Sequence, residues 1–290
     1  MIAANYFCKE YEKAKLLCFL HLFFYYDQRI AGNKFIKLRK ILLFFLLGIR
    51  WQAGFSQQQL NRVFENNFNA WLVYSGDFKL SEKWGMHLGI PWRRNAFFSN
   101  PQQIIIRPGI NYYFNKQVST TVGYAFAESF PYGQLAQPAT FYEHRVWEQV
   151  QFKNQIGKTE FTSRFRLEQR FSHLPISYNN EYKAGPAVYA NRVRLFDRFS
   201  LPLKGRLIED KSIYVSFFDE VYINFGRNVG YNIFDQNRTS LSIGYQFPKL
   251  GRLEVGYLNQ LSLKSDGLKF QNNHTLQVAL YSNISLYKSE

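Results

Sequence analysis

The sequence predicts an all-β protein, an antiparallel up-and-down transmembrane β-barrel of about 12 strands. Three observations carry that expectation. From Asn61 onward apolar and polar residues alternate with period two, and helical period is nearly absent. The alternating segments run to about 10–15 residues, where ordinary strands have ~5–6 and a tilted bilayer-crossing strand needs ~9–11. The connections alternate between short turns and longer loops rich in Asn, Gly, Pro and Ser, as in outer-membrane barrels. Composition agrees. Aromatic residues are 19%, too many for a disordered chain, while 20% charged residues leave no room for a bundle of apolar spanning helices.

The chain divides into three parts. Lys34 to Lys40 is a basic flank, Ile41 to Ile49 a short apolar core, and Ala53 to Ser56 a small-residue exit, so residues 34–56 read as a secretory signal peptide cleaved near Ser56. Residues 1–33, with a second apolar stretch from Leu16 to Tyr26, read as an over-extended start or a leader extension. Residues 57–290 form the barrel domain. Both cysteines, Cys8 and Cys18, precede it, so the mature chain offers neither thiolate chemistry nor a disulfide.

Along the barrel domain, Ile104, Ile106, Ile110, Tyr112 and Phe114 alternate up to a tight turn at Asn115-Lys116, and Val118, Val122, Tyr124 and Phe126 continue beyond it. Segments 141–152, 160–171 and 189–200 follow. Ile213 to Phe225, Thr239 to Phe247, Leu253 to Leu263 and Leu276 to Leu286 then each place apolar residues on one parity. Short connections are expected near 76–82, 115–116, 153–158, 202–210 and 248–249, and longer ones near 93–101, 129–140, 172–187, 226–235 and 264–270. This gives eleven strands. Single-chain bacterial barrels have even numbers, so a twelfth is expected around Gln57 to Phe64 or within 179–201.

Three segments carry charge where a soluble sheet would not. In a membrane barrel the polar parity faces inward, which turns Glu143, Arg145, Trp147, Gln149 and Gln151 to the lumen. Glu160, Arg164, Arg166, Glu168 and Arg170 join them from the next segment, then Arg192, Arg194 and Arg198. A hairpin pairing Gln155 with Lys158 would set Glu143 against Arg170 and Arg145 against Glu168, a lumenal ladder of salt bridges. His144 and Glu148 break the pattern by taking the lipid parity. Proximity to the short turn or a bulge would account for Glu148.

No catalytic, cofactor or metal site is expected. His87, His144, His173 and His274 stand apart from one another, and the chain holds no phosphate loop or nucleophile elbow. Net charge is +15, but the first 56 residues hold 9 Lys+Arg against 3 Asp+Glu, and the remainder has no run of like charge. Nucleic acid is therefore not an expected partner. Outer-membrane lipid is, with small anionic solutes as candidates for an Arg-lined lumen. The expected function is a structural, pore-forming or solute-binding barrel without enzymatic activity. Two rivals make distinct predictions. A lipid-modifying enzyme at the rim needs Ser and acidic neighbours around His144 or His274. A soluble periplasmic binding protein needs the Phe/Ile/Val face inside and the Arg/Glu face in water.

The segments FYEHRVWEQ and RFRLEQRF, an early hairpin at Trp71, and RPGINYYF (Arg107 to Phe114) resemble the domain of unknown function 2490 family. The resemblance runs from about Asn66 to Tyr287. It implies an outer-membrane barrel of a Gram-negative bacterium, of a kind common in the Bacteroidetes. It implies no established activity and no functional residues.

Overall fold

The computed structural model describes residues 62–287. The expected signal peptide, the residues before it, both cysteines, the expected cleavage position and the last three residues lie outside the described residues. Thirteen strands are present: β1 (Val63–Lys79), β2 (Trp84–Asn95), β3 (Asn100–Tyr113), β4 (Val118–Ser129), β5 (Phe141–Ile156), β6 (Thr159–His173), β7 (Pro175–Tyr178), β8 (Glu181–Ala184), β9 (Val188–Pro202), β10 (Ile213–Phe225), β11 (Phe234–Phe247), β12 (Gly251–Leu263) and β13 (Lys269–Ser285). Eleven of them close into one barrel, in the order β1-β13-β12-β11-β10-β9-β6-β5-β4-β3-β2. β7 and β8 form a separate two-stranded hairpin on the loop between β6 and β9, turned by Asn179 and Asn180. Both turn residues take positive φ (49° and 62°), as a type I′ turn requires.

Among the described residues the barrel itself has eleven strands, and no twelfth is needed to close the sheet. Neighbours are antiparallel except at one seam, where β1 and β13 run parallel from Val63↔Lys269 to Lys79↔Ser285. An odd number of alternating strands brings the first and last together pointing the same way. A parallel ladder still satisfies every edge group, so closure does not require even parity.

Local chemistry sets the turns. Asn115 accepts the amides of Gln117 and Val118 on its side chain, both at 2.8 Å, a side-chain mimic of a backbone turn. Asp266 does the same for Leu268 and Lys269 before β13. Between β5 and β6 the turn is only Gly157-Lys158, with Ile156 opposite Thr159 and Gly157 at φ 61°. Positive φ at the first central position alone is the type II′ pattern. The turn expected from sequence, centred on Ile156-Gly157, would put the β-branched Ile156 at the position that resists positive φ. The register is therefore two residues from the expected one. A two-residue slip preserves every side chain's face but changes which charges stand opposite.

The two faces are sorted by polarity. Outward side chains include Ile110 (60% exposed), Val122, Val146, Phe217, Leu241 and Ile243 (62% exposed). Inward ones include buried Glu143, Arg145, Gln149, Arg166, Glu168, Arg192, Arg194, Glu220 and Glu254. The arrangement required by a soluble binding protein, apolar inside and charge in water, is the reverse of this one. Glu148 keeps its outward parity. The ladders to β4 and β6 pass through it without a register shift, so no bulge re-aims it, and it lies midway along β5 rather than beside the turn. Its neighbour there is Gln169, which donates to it at 3.2 Å.

Candidate functional site: the barrel interior

The interior is layered along the barrel. At the turn end, salt bridges cross the lumen as chords. Arg252 on β12 grips Glu160 on β6 with two bonds of 2.6 and 2.9 Å, passing over three intervening strands. Arg198 on β9 bonds Glu254 on β12, which also accepts from Tyr214 at 2.6 Å. A second polar chain runs along the wall. His87 and Asn111 converge on Asp77 at 2.9 and 2.8 Å, Thr121 donates to Asn111, Gln149 to Thr121, and Arg166 to Gln149. Six strands contribute to it.

Above this layer the lumen is filled by apolar side chains from opposite walls. Trp71 on β1, Phe218 on β10 and Leu258 on β12 form one buried cluster, with Val73 and Phe196 packed against it. Trp147 joins Ile105, Ala125 and Ala127 in another. The Trp147 indole lies against the wall where Gly109 pairs with Gly123, and a Cβ on Gly123 would collide with it. Small residues on two neighbouring strands thus seat the large ring from a third.

The sequence-derived ladder residues are all inward, but their pairing is not the expected one. Arg145 stands directly opposite Arg170, and Glu143 opposite Ser172. Glu143 still reaches diagonally to Arg170 with bonds of 2.9 and 2.7 Å, and also takes Ser172 and Arg145. Arg145 does not pair with Glu168. Glu168 instead accepts Arg192 at 2.6 and 2.9 Å and Arg194 at 2.7 Å from β9. Glu220 on β10 collects Arg194 and Arg164. The long side chains pair around the curved wall, β6 to β9 to β10, rather than along one hairpin. Cross-strand register was legible only in part, and Glu220 is among the interior residues the sequence did not single out. Its signal was the polar parity it shares with Ser216, Tyr222 and Asn224 on an alternating strand.

At the loop end the lumen opens into a cavity of about 240 Å³. Its lining carries seven arginines and one lysine against two carboxylates, Glu143 and Asp235. The 130–140 loop folds over this mouth. Its Gln134 and Leu135 amides bond the Glu65 carboxylate on β1, and Tyr132 bonds Gln271 and Asn273 on β13. Burial pushes the Tyr132 hydroxyl above the usual phenol range and the Lys264 ammonium below the usual lysine range.

The histidines considered for rim catalysis have other partners. His144 meets the Tyr124 hydroxyl at 2.5 Å, and His274 meets Tyr257 at 2.6 Å and Asn272 at 3.1 Å. Neither has a serine or carboxylate within hydrogen-bond reach among the described residues. No cluster of three or more potential metal ligands occurs among them either. No curated protein and no solved structure matches the chain. The family model described as protein of unknown function DUF2490 matches residues 68–271, from the first barrel strand into the last, and the chain belongs to that family.

Proposed function

We propose that the chain is an outer-membrane protein whose barrel acts as a receptacle for small anionic solutes, blind at its turn end. One observation carries the membrane reading: apolar side chains cover the outside of a closed sheet while charge is held inside. Lipid is the solvent that rewards that polarity, and a closed barrel is the sheet it tolerates. The aromatic and histidine cluster of Phe126, Tyr142, His144 and His173 near the loop-end rim suits the headgroup level. The blind end follows from the Trp71–Phe218–Leu258 cluster and the chords beneath it, which obstruct passage from the cavity to the turn end.

Gel mobility of the refolded full-length chain, with and without boiling, tests the location. A shift on boiling together with aggregation in plain buffer is expected. A chain that stays monomeric without detergent would sink the membrane reading. Single-channel recording then separates receptacle from pore: the intact protein should give no steady conductance.

A further inference from the structure

We infer that the loop-end cavity holds a specific site for a compact oxyanion of two or more charges, built on Arg93, Arg107 and Arg238. This deepens the receptacle reading and rests on it. Four other arginines of the cavity, Arg145, Arg170, Arg192 and Arg194, each bond a carboxylate of the wall. Arg93, Arg107 and Arg238 have none within ion-pair distance among the described residues; Glu220, opposite Arg238 on β10, takes its bonds from Arg164 and Arg194. In each the Nε is buried and without a hydrogen-bond partner. A buried guanidinium left without a counter-charge is costly, and elsewhere this interior supplies one. The three exceptions line one cavity that opens at the loop end.

Their positions are fixed by aromatic rings. Arg93 lies 4.2 Å and Arg238 5.2 Å from the centre of the Trp71 ring, so one indole holds both guanidinium groups. Trp71 is itself held by its indole N–H, which donates to Gln102 at 2.7 Å. Arg93 is further fixed by a 2.6 Å bond to Gln103, and Arg107 lies over Trp147 at 5.9 Å. The planar fork of arginine suits carboxylate and phosphate oxygens, and several converging forks favour a ligand with more than one charge. A volume of about 240 Å³ restricts that ligand to a compact molecule. Side-chain amides of Gln102, Gln103 and Gln236 border the site and can read hydroxyl or carbonyl groups.

The test is calorimetric titration of the folded full-length chain in detergent with citrate, inorganic phosphate and glucose. Citrate or phosphate should bind, glucose should not, and the tighter of the two names the carboxylate or phosphate class. Arg93→Gln and Arg238→Gln should each weaken binding roughly ten- to a hundredfold, the effect of one lost charged hydrogen bond. Arg252→Gln, at the opposite end, should leave it unchanged. Phenylglyoxal modification of the unmutated protein gives a readout that does not depend on variant folding, since bound citrate or phosphate should shield Arg93, Arg107 and Arg238 from labelling. Absence of binding, equal binding of glucose, unaltered affinity in both cavity variants, an equal loss in Arg252→Gln, or unshielded labelling would each overturn the site. Failure of the membrane reading is seen separately, as solubility without detergent, and leaves the titration interpretable.

Discussion

The contribution of an interior carboxylate should depend on whether its arginines have a second partner. Glu143 and Glu168 provide the comparison. Both are nearly inaccessible, at 2% and 1% exposed; each hydrogen-bonds two arginines, and Glu168 also lies 3.9 Å from a third, Arg166. If Glu168 is replaced by Gln, Arg192 keeps Asp235 at 2.8 Å, Arg194 keeps Glu220 at 3.0 and 2.7 Å, and Arg166 loses a 3.9 Å contact but keeps its two bonds to Gln149. The loss is then of the order of one charged hydrogen bond, about 1.5–3 kcal/mol. If Glu143 is replaced by Gln, neither Arg145 nor Arg170 retains a carboxylate within ion-pair distance. Two buried charges lose the one carboxylate they pair with among the described residues, and the cost rises to roughly 3–5 kcal/mol. At ~2–4 °C per kcal/mol for a domain of this size, Glu143→Gln should lower Tm by about 6–20 °C. Glu168→Gln should lower it by about 3–12 °C. The assay is loss of the compact gel form on heating, read against temperature for both variants in the same detergent. A Glu168→Gln variant destabilised as much as Glu143→Gln would refute the argument, because second partners would then confer no protection.

Three further outcomes are expected. Trp71→Ala combined with Phe218→Ala removes the central cluster and should give single-channel conductance where the unmodified barrel is expected to give none. Gly123→Ala, whose Cβ meets Trp147 and the Pro108 carbonyl, should cost about 1–3 kcal/mol and shift the tryptophan emission, whereas an unchanged spectrum would mean that the indole is not seated there. Glu65→Gln weakens the anchor of the Gln134 and Leu135 amides, so protease cleavage within 130–140 should accelerate several-fold while the barrel stays folded.

Much of this architecture was legible because the period-two pattern is a direct image of a two-faced sheet. Parity alone placed Glu143, Arg164, Glu168 and Arg192 inside, and in the closed barrel their side chains are largely shielded from solvent. The positions of most connections followed from turn residues such as Asn115 and Gly157. Pairing was less legible. It depended on which two residues form the β5–β6 turn, and a shift of one residue there exchanged the expected Arg145–Glu168 contact for Arg145 opposite Arg170. The interior contacts across the lumen were not legible at all. That Arg252 would reach Glu160, or that Trp71 would meet Phe218, depends on barrel diameter and strand order, which no local pattern encodes. Outward polar residues form the other gap. Asp197 stands opposite Asp219, which accepts from Asn237 and Thr239, a polar patch on a face otherwise apolar.

The parallel seam between β1 and β13 has a topographic consequence. β1 begins at the loop mouth and β13 ends at the turn mouth, so the described chain enters the barrel at one opening and leaves it at the other. An even-stranded meander returns its tail to the side from which its head departed. Eleven passes instead amount to one net traverse. In a bilayer, groups attached next to Arg62 and next to Tyr287 would report on opposite compartments, and reagents confined to one side would label only one of them. The barrel is thus a vectorial object, with its two ends addressing two different solutions.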